Sequence, residues 1–187
     1  MQTFLVVIVV SSLAFVGTMF DNFFAFAAQL IVTDHAKYRR VAWAQGIAVA
    51  VLIALAGGIG ALLAPVPLRW VGLLCVAPFG FAIYAWRHRE QPREQYKRGS
   101  ITTFAMTLAL GGDNIAVWIP LLRANGVARA IVTVVVFACG DVIFLFSAQR
   151  LAQHPKVVTW GRAHAPTALP IVYVLLGVLI LLECRTF

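Results

Sequence analysis

The stretch GGDNIAVWIP, residues 111 to 120, decides how this chain is read. It places Asp113 and its neighbour Asn114 inside a run, residues 101 to 122, that holds no other ionisable side chain. If that run crosses a bilayer, a carboxylate at its midplane costs at least about 2.5 kcal/mol, and such a residue marks an ion pathway, a proton relay or a buried pair. Gly111 and Gly112 weaken the helix ahead of the acid, and Pro120 cannot donate to the carbonyl of Ala116. Backbone oxygen is thereby freed within one or two turns of the carboxylate. Carboxylate, amide and spare carbonyl oxygens are what a hard cation binds. The plain alternative is a proline-kinked helix whose acid is hydrogen-bonded to a neighbouring Ser, Thr or Asn.

Composition makes the bilayer the right solvent to consider. The chain is 61% hydrophobic and 12% charged, against about 25% charged residues in ordinary soluble domains. At 187 residues it has room for about six spans of roughly 20 residues and none for a separate soluble domain. A net charge of +8 would point to nucleic acid in a soluble protein; here it reads as loop charge, and nucleic acid is not an expected partner. Cys75, Cys139 and Cys184 lie within or at the end of apolar runs, so they are expected to be reduced, buried thiols.

Working outward, apolar runs predict spans at residues 4–32, 41–64, 70–86, 101–122, 130–151 and 168–184. The first is too long for a cleaved signal and lacks a basic start, so it is read as a retained span. In the second, Ala50, Ala54, Gly57 and Ala61 form a small-residue stripe suited to close helix approach. The expected fold is an all-α integral membrane domain of six transmembrane helices. It divides into two inverted three-helix repeats, 1–86 and 101–187, joined by the polar linker 87–100. Eleven of the fifteen Lys and Arg fall on the loops 33–40, 87–100 and 150–167, which are therefore expected to be cytoplasmic, with both termini outside. The four histidines share those loops and are assigned no role.

The repeat rests on a second acid. GTMFDNFFAF around Asp21 matches ALGGDNIAVW around Asp113, giving an Asp-Asn pair in the first span of each half. Asp21, Asp113 and Asp141 all fall near the centres of their spans, where inverted-repeat transporters hold their ions. Ala14, Gly17, Thr18, Ala25 and Ala28 surround Asp21 at helical offsets, and Ala105, Ala109 and Ala116 share the Asp113 face, so both acids are expected to point into the bundle. No Lys or Arg lies in a span core. Like charges in so poor a dielectric cannot all stay ionised without a divalent ion or protons among them. The candidate cation site is thus Asp21, Asn22, Asp113, Asn114 and Asp141, with Thr18, Cys139 and Pro120 as further candidates.

GGDNIAVWIP resembles the NGxDNIxxYxP signature of the CadD-type cadmium-resistance transporters of the LysE superfamily. GTMFDN is similar to their first-span acidic motif, and LLGVLILLEC, with Glu183, to their closing segment. One departure is Asn22, where that family often has a second acid. The resemblance implies a bacterial inner-membrane exporter of Cd²⁺, with Zn²⁺ or Mn²⁺ as further substrates, driven by an ion gradient. It also implies a site at Asp21, Asn22, Asp113, Asn114 and Pro120. The cation is substrate, and no resident cofactor is expected. Oxygen ligands suit Mn²⁺ or Ca²⁺, whereas Cd²⁺ favours a thiolate, for which Cys139 is the midplane candidate. No Walker motif or nucleophile-base pair is present, so an enzyme is not expected. Two alternatives stay open: an exporter of a small basic organic solute, and a non-transporting membrane scaffold. The bilayer is an expected partner, and self-association is left open.

Overall fold

A computed structural model describes residues 4–87 and 100–184, and every regular element among them is helical. The linker 87–100 therefore lies almost wholly outside the described residues.

The sequence's long apolar runs become helices, but two of them are broken at the acids. Helix α1 (Phe4–Thr18) and helix α2 (Phe20–Ile31) meet at Met19 with a bend of 54°. Helix α6 (Ser100–Leu110) and the first arm of helix α7 (Gly112–Leu151) meet at Gly111 with a bend of 59°. Between them run α3 (Tyr38–Leu62), the short α4 (Leu68–Val71), a 3-10 turn (Gly72–Cys75) and α5 (Val76–Arg87). Helix α8 (Pro155–Glu183) closes the chain.

Among the described residues, two helices are long and apolar enough to cross a membrane, His35–Leu62 and Gly126–Leu151; the count rises to four if each bent pair is one span. The second of these is the far arm of α7, set off by Gly126, whose φ of 64° and ψ of 170° no L side chain adopts easily. The separation between the predicted spans 101–122 and 130–151 is thus a kink at Gly126. Large apolar side chains stand outward around the bundle: Leu62, Ile101 and Val127 are 79%, 85% and 83% exposed. Water would be a costly solvent for that surface, and lipid is not.

Helices α1 and α6 occupy corresponding places. Helix α1 packs chiefly on α7, and α6 chiefly on α3; α5 packs against α8, and α2 against α8. Glycines allow the closest approaches. A Cβ at Gly140 would lie 2.9 Å from the Phe15 ring, and one at Gly177 would lie 2.8 Å from Phe79.

Several expectations are corrected. The 101–122 run is not one helix, because its register is reset at Gly111. Periodicity counted through that break misplaces its face: Ala105 and Ala109 are exposed and Ala116 is only half-buried. Pro120 lies inside a continuous arm, Gly112–Ala124, and the bend sits at Gly111 instead. The stripe of Ala50, Ala54, Gly57 and Ala61 does not pack within the chain; α3 buries Gln45, Ala48, Val49, Leu52, Ala56 and Gly60. Helix α8 begins at Pro155, so most of the segment expected to be a polar connection is helical.

Candidate cation site

The two breaks are built alike. Met19 has φ −90° and ψ 3°, and Gly111 has φ −81° and ψ 6°. Two residues after each comes an aspartate, in the first turn of the helix that follows. Asp21 Oδ1 accepts the Asn22 backbone N–H at 2.8 Å, and Asp113 Oδ1 accepts that of Asn114 at 2.8 Å. A first-turn carboxylate is favoured by the partial positive charge of the unpaired N–H groups there. Backbone geometry thus helps to hold both carboxylates.

The breaks also bring the acids together. Asp21 and Asp113 are 6% and 4% exposed and near enough for their charges to repel. Asn22 and Asn114 beside them are buried, and among the described residues the side-chain oxygen of each has no hydrogen-bond partner, nor has the Asn114 amide nitrogen. A buried amide oxygen left unpaired costs about 1–3 kcal/mol, so two of them beside two like charges form a site short of positive charge. Tyr173 of α8 donates to Asp113 Oδ2 at 2.8 Å. Thr18 returns its hydroxyl to the Ala14 carbonyl at 3.0 Å and accepts the Trp118 indole N–H at 3.2 Å, so it braces α1 against α7.

A family model described as cadmium resistance transporter matches residues 15–187, which include both Asp-Asn pairs. The chain belongs to the cadmium resistance transporter family. No curated protein and no solved structure matches it. Family membership and the apolar helices together make it a membrane protein.

In this transporter the other sequence candidates separate from the pair. Among the described residues no three His, Cys, Asp or Glu side chains converge. Asp141, buried on the far arm of α7, faces α3 at Gly46, where a Cβ would lie 3.4 Å from its Oδ2. Its Oδ1 is buried without a hydrogen-bond partner. Pro120 is buried in the helix below Asn114.

Cys139 is exposed, unlike the buried Cys75 and Cys184, which corrects the expectation that all three thiols are buried. It lines a lateral apolar crevice with Phe15, Met19, Phe20 and Phe144. An outward thiol cannot share an ion with inward carboxylates. Cys139→Ser is expected to leave the ratio of Cd²⁺ to Mn²⁺ transport within about twofold of the parent, as surface substitutions do. A selective fall in Cd²⁺ transport would return the thiol to the site.

Sequence reasoning missed Tyr173 and the buried glutamines Gln29 and Gln45. A lone hydroxyl-bearing aromatic in an otherwise aliphatic run, 60 residues from Asp113, was the available signal. Because the Tyr173 hydroxyl occupies an oxygen that a cation would take, Tyr173→Phe is expected to tighten Cd²⁺ binding about fivefold, the worth of one net hydrogen bond. Titration calorimetry on the detergent-solubilised protein checks this. Weaker binding would instead make the hydroxyl an orienting partner.

Proposed function

We propose that this cadmium resistance transporter exports Cd²⁺ across the bacterial inner membrane by alternating access, driven by an ion gradient, with Zn²⁺ and Mn²⁺ as further substrates. The observation that carries the reading is the pair of matched breaks. They set two mutually repelling carboxylates and two unpartnered amide oxygens at the junction of four half-helices. Two carboxylates balance one divalent ion, and the amide oxygens complete an oxygen shell. Broken helices at mid-membrane are how secondary transporters bare polar groups to a substrate.

The matched breaks also support the finer topology. Each bent pair makes one crossing, α3 and the far arm of α7 one each, and the shorter apolar helices Gly72–Tyr84 and Thr167–Leu182 the last two. Six crossings then form two inverted repeats in a single membrane domain, with both termini outside. Asp21, Asn22, Asp113 and Asn114 hold the ion, and Asp141 stands apart as a separate acid of the same bundle.

The test is flux in liposomes loaded with a metal-sensitive dye, run with Cd²⁺, Zn²⁺ and Mn²⁺ in parallel and with labelled arginine and lysine. Cd²⁺ flux is expected. Amino-acid flux without metal flux would favour the organic-solute exporter, and no flux of any kind the scaffold. Orientation is tested separately: a cysteine introduced at Gln95 should label only from the cytoplasmic side, and labelling from outside would invert the topology.

A further inference from the structure

Two hydrogen-bonded pairs of buried polar side chains lie to one side of the carboxylates and take no part in holding the ion. Gln29 of α2 donates through Nε2 to Thr103 Oγ1 of α6 at 2.6 Å. Thr107 of α6 donates through its hydroxyl to Gln45 Oε1 of α3. All four side chains are at most 1% exposed. At about 1.5 Å per helical residue, Thr107 stands roughly 6 Å and Thr103 roughly 12 Å before the break at Gly111, while Gln29 stands roughly 12 Å beyond Asp21. The pairs are successive rungs leading from the carboxylates to the end of the bundle where α6 begins.

The opposite direction is built differently. Phe15, Trp118 and Phe137 pack ring to ring there, with centroids 6.1 Å, 5.8 Å and 4.6 Å apart. A buried hydroxyl bridge, Ser11 to Thr133 at 3.0 Å, fastens α1 beyond them. One side of the site is thus packed with these three rings, and the other carries the amide and hydroxyl pairs, with Phe23 and Phe26 of α2 packed against Phe144 nearby.

In lipid an interhelical hydrogen bond between such side chains contributes about 0.6–2 kcal/mol, so each rung fastens the seam while it is dry, and water can satisfy the same groups when it is wet. Polar rungs suit a seam that is wetted and closed in turn. Helix α6 has the freedom to open. It packs chiefly on α3 and joins α7 through Gly111 and Gly112 at the 59° bend. Gln45 Nε2 is buried with no hydrogen-bond partner, a donor that an open, wet seam would satisfy.

We propose that α6 is the gate on this side of the site. Gln29–Thr103 and Gln45–Thr107 hold it shut, and when α6 swings about Gly111 the same four side chains line the path by which a divalent cation reaches Asp21 and Asp113. The proposal rests on the reading of that pair as the ion's site and deepens it by naming the access route. Under the orientation expected from loop charge, this is the cytoplasmic, loading side.

The experiment reads access without needing flux, so a failure of the export assignment does not obscure it. Thr107→Cys is placed in the protein with Cys75, Cys139 and Cys184 replaced by Ser, reconstituted in vesicles, and exposed to a membrane-impermeant thiol reagent from each side. Labelling is expected only from the face where α6 begins. Adding Thr103→Val, which removes the other rung without changing shape, should raise the labelling rate about tenfold. Thr103→Cys with Gln45→Ala is the second probe, should the first pair fail to fold, and should behave alike. Labelling from the other face, from both or from neither would overturn the gate, as would a rate indifferent to loss of the second rung.

Discussion

Asparagine at position 21 or at position 113 is expected to lower Cd²⁺ affinity more than a hundredfold and to stop metal flux, while the protein remains inserted and folded. The exchange keeps shape, and the remaining side-chain oxygen can still accept the neighbouring Asn N–H that each aspartate now accepts at 2.8 Å. What it removes is one unit of negative charge from a pair buried to 6% and 4% exposure. With one of the two carboxylates gone, a divalent ion loses half the negative charge that balances it. A loss of about 3 kcal/mol in binding is more than a hundredfold in affinity. The metal-free mutants should be no less stable than the parent, since each lacks one of two repelling buried charges. Calorimetric titration and liposome flux, after a check for equal insertion, decide the matter. Parent-like flux from either mutant would remove that residue from the site.

A second large effect is expected at the hinge. A Cβ at Gly111 would fall 2.5 Å and 2.6 Å from the two terminal methyls of Leu52 and 3.0 Å from the Thr107 carbonyl oxygen. Leu52 is 1% exposed, so its methyls must shift within a packed core to admit the new carbon. Gly111→Ala is therefore expected to cost about 1–3 kcal/mol by overpacking and to slow transport, because α6 meets both α3 and α7 there. Leu52→Ala alone should destabilise by about 2–5 kcal/mol through the cavity it opens. Together the two should cost less than their sum by about 1 kcal/mol or more, since the added methyl occupies vacated space. Thermal unfolding of the two single mutants and the double mutant measures this. Strict additivity would mean that α6 does not press on α3 at Leu52.

How much of this was legible in the sequence depended on where each signal lay. Apolar run length showed the helices, and the repeated Asp-Asn pair showed the two acids, because both are local patterns. The breaks were harder. Gly111 and Gly112 announced a weak point, but at Met19 neither glycine nor proline marks the bend. The conformation there depends on Thr18, whose hydroxyl turns back to the Ala14 carbonyl and is held by Trp118, 100 residues away. Missing the break at Gly111 had a consequence: a 3.6-residue period carried across it put Ala105 and Ala109 on the Asp113 face, whereas α6 buries Thr103 and Thr107. Around Asp21 the small-residue argument held in part: Ala14, Thr18 and Ala25 are buried, while Gly17 and Ala28 are half-buried. Asp141 and Cys139 looked alike as midplane candidates, yet neighbouring positions on a helix face different ways. One points at Gly46 and the other toward lipid. Tyr173 and the glutamine rungs are tertiary facts, invisible until distant helices are brought together.

If the matched breaks bind a single divalent ion, the measurement that tests this most directly is Cd²⁺ binding to the purified protein, followed by calorimetry and by cadmium X-ray absorption. One Cd²⁺ per chain in a shell of oxygen ligands without sulfur, lost in both Asp21→Asn and Asp113→Asn, is the predicted result. A sulfur ligand, or binding that survives either substitution, would contradict it.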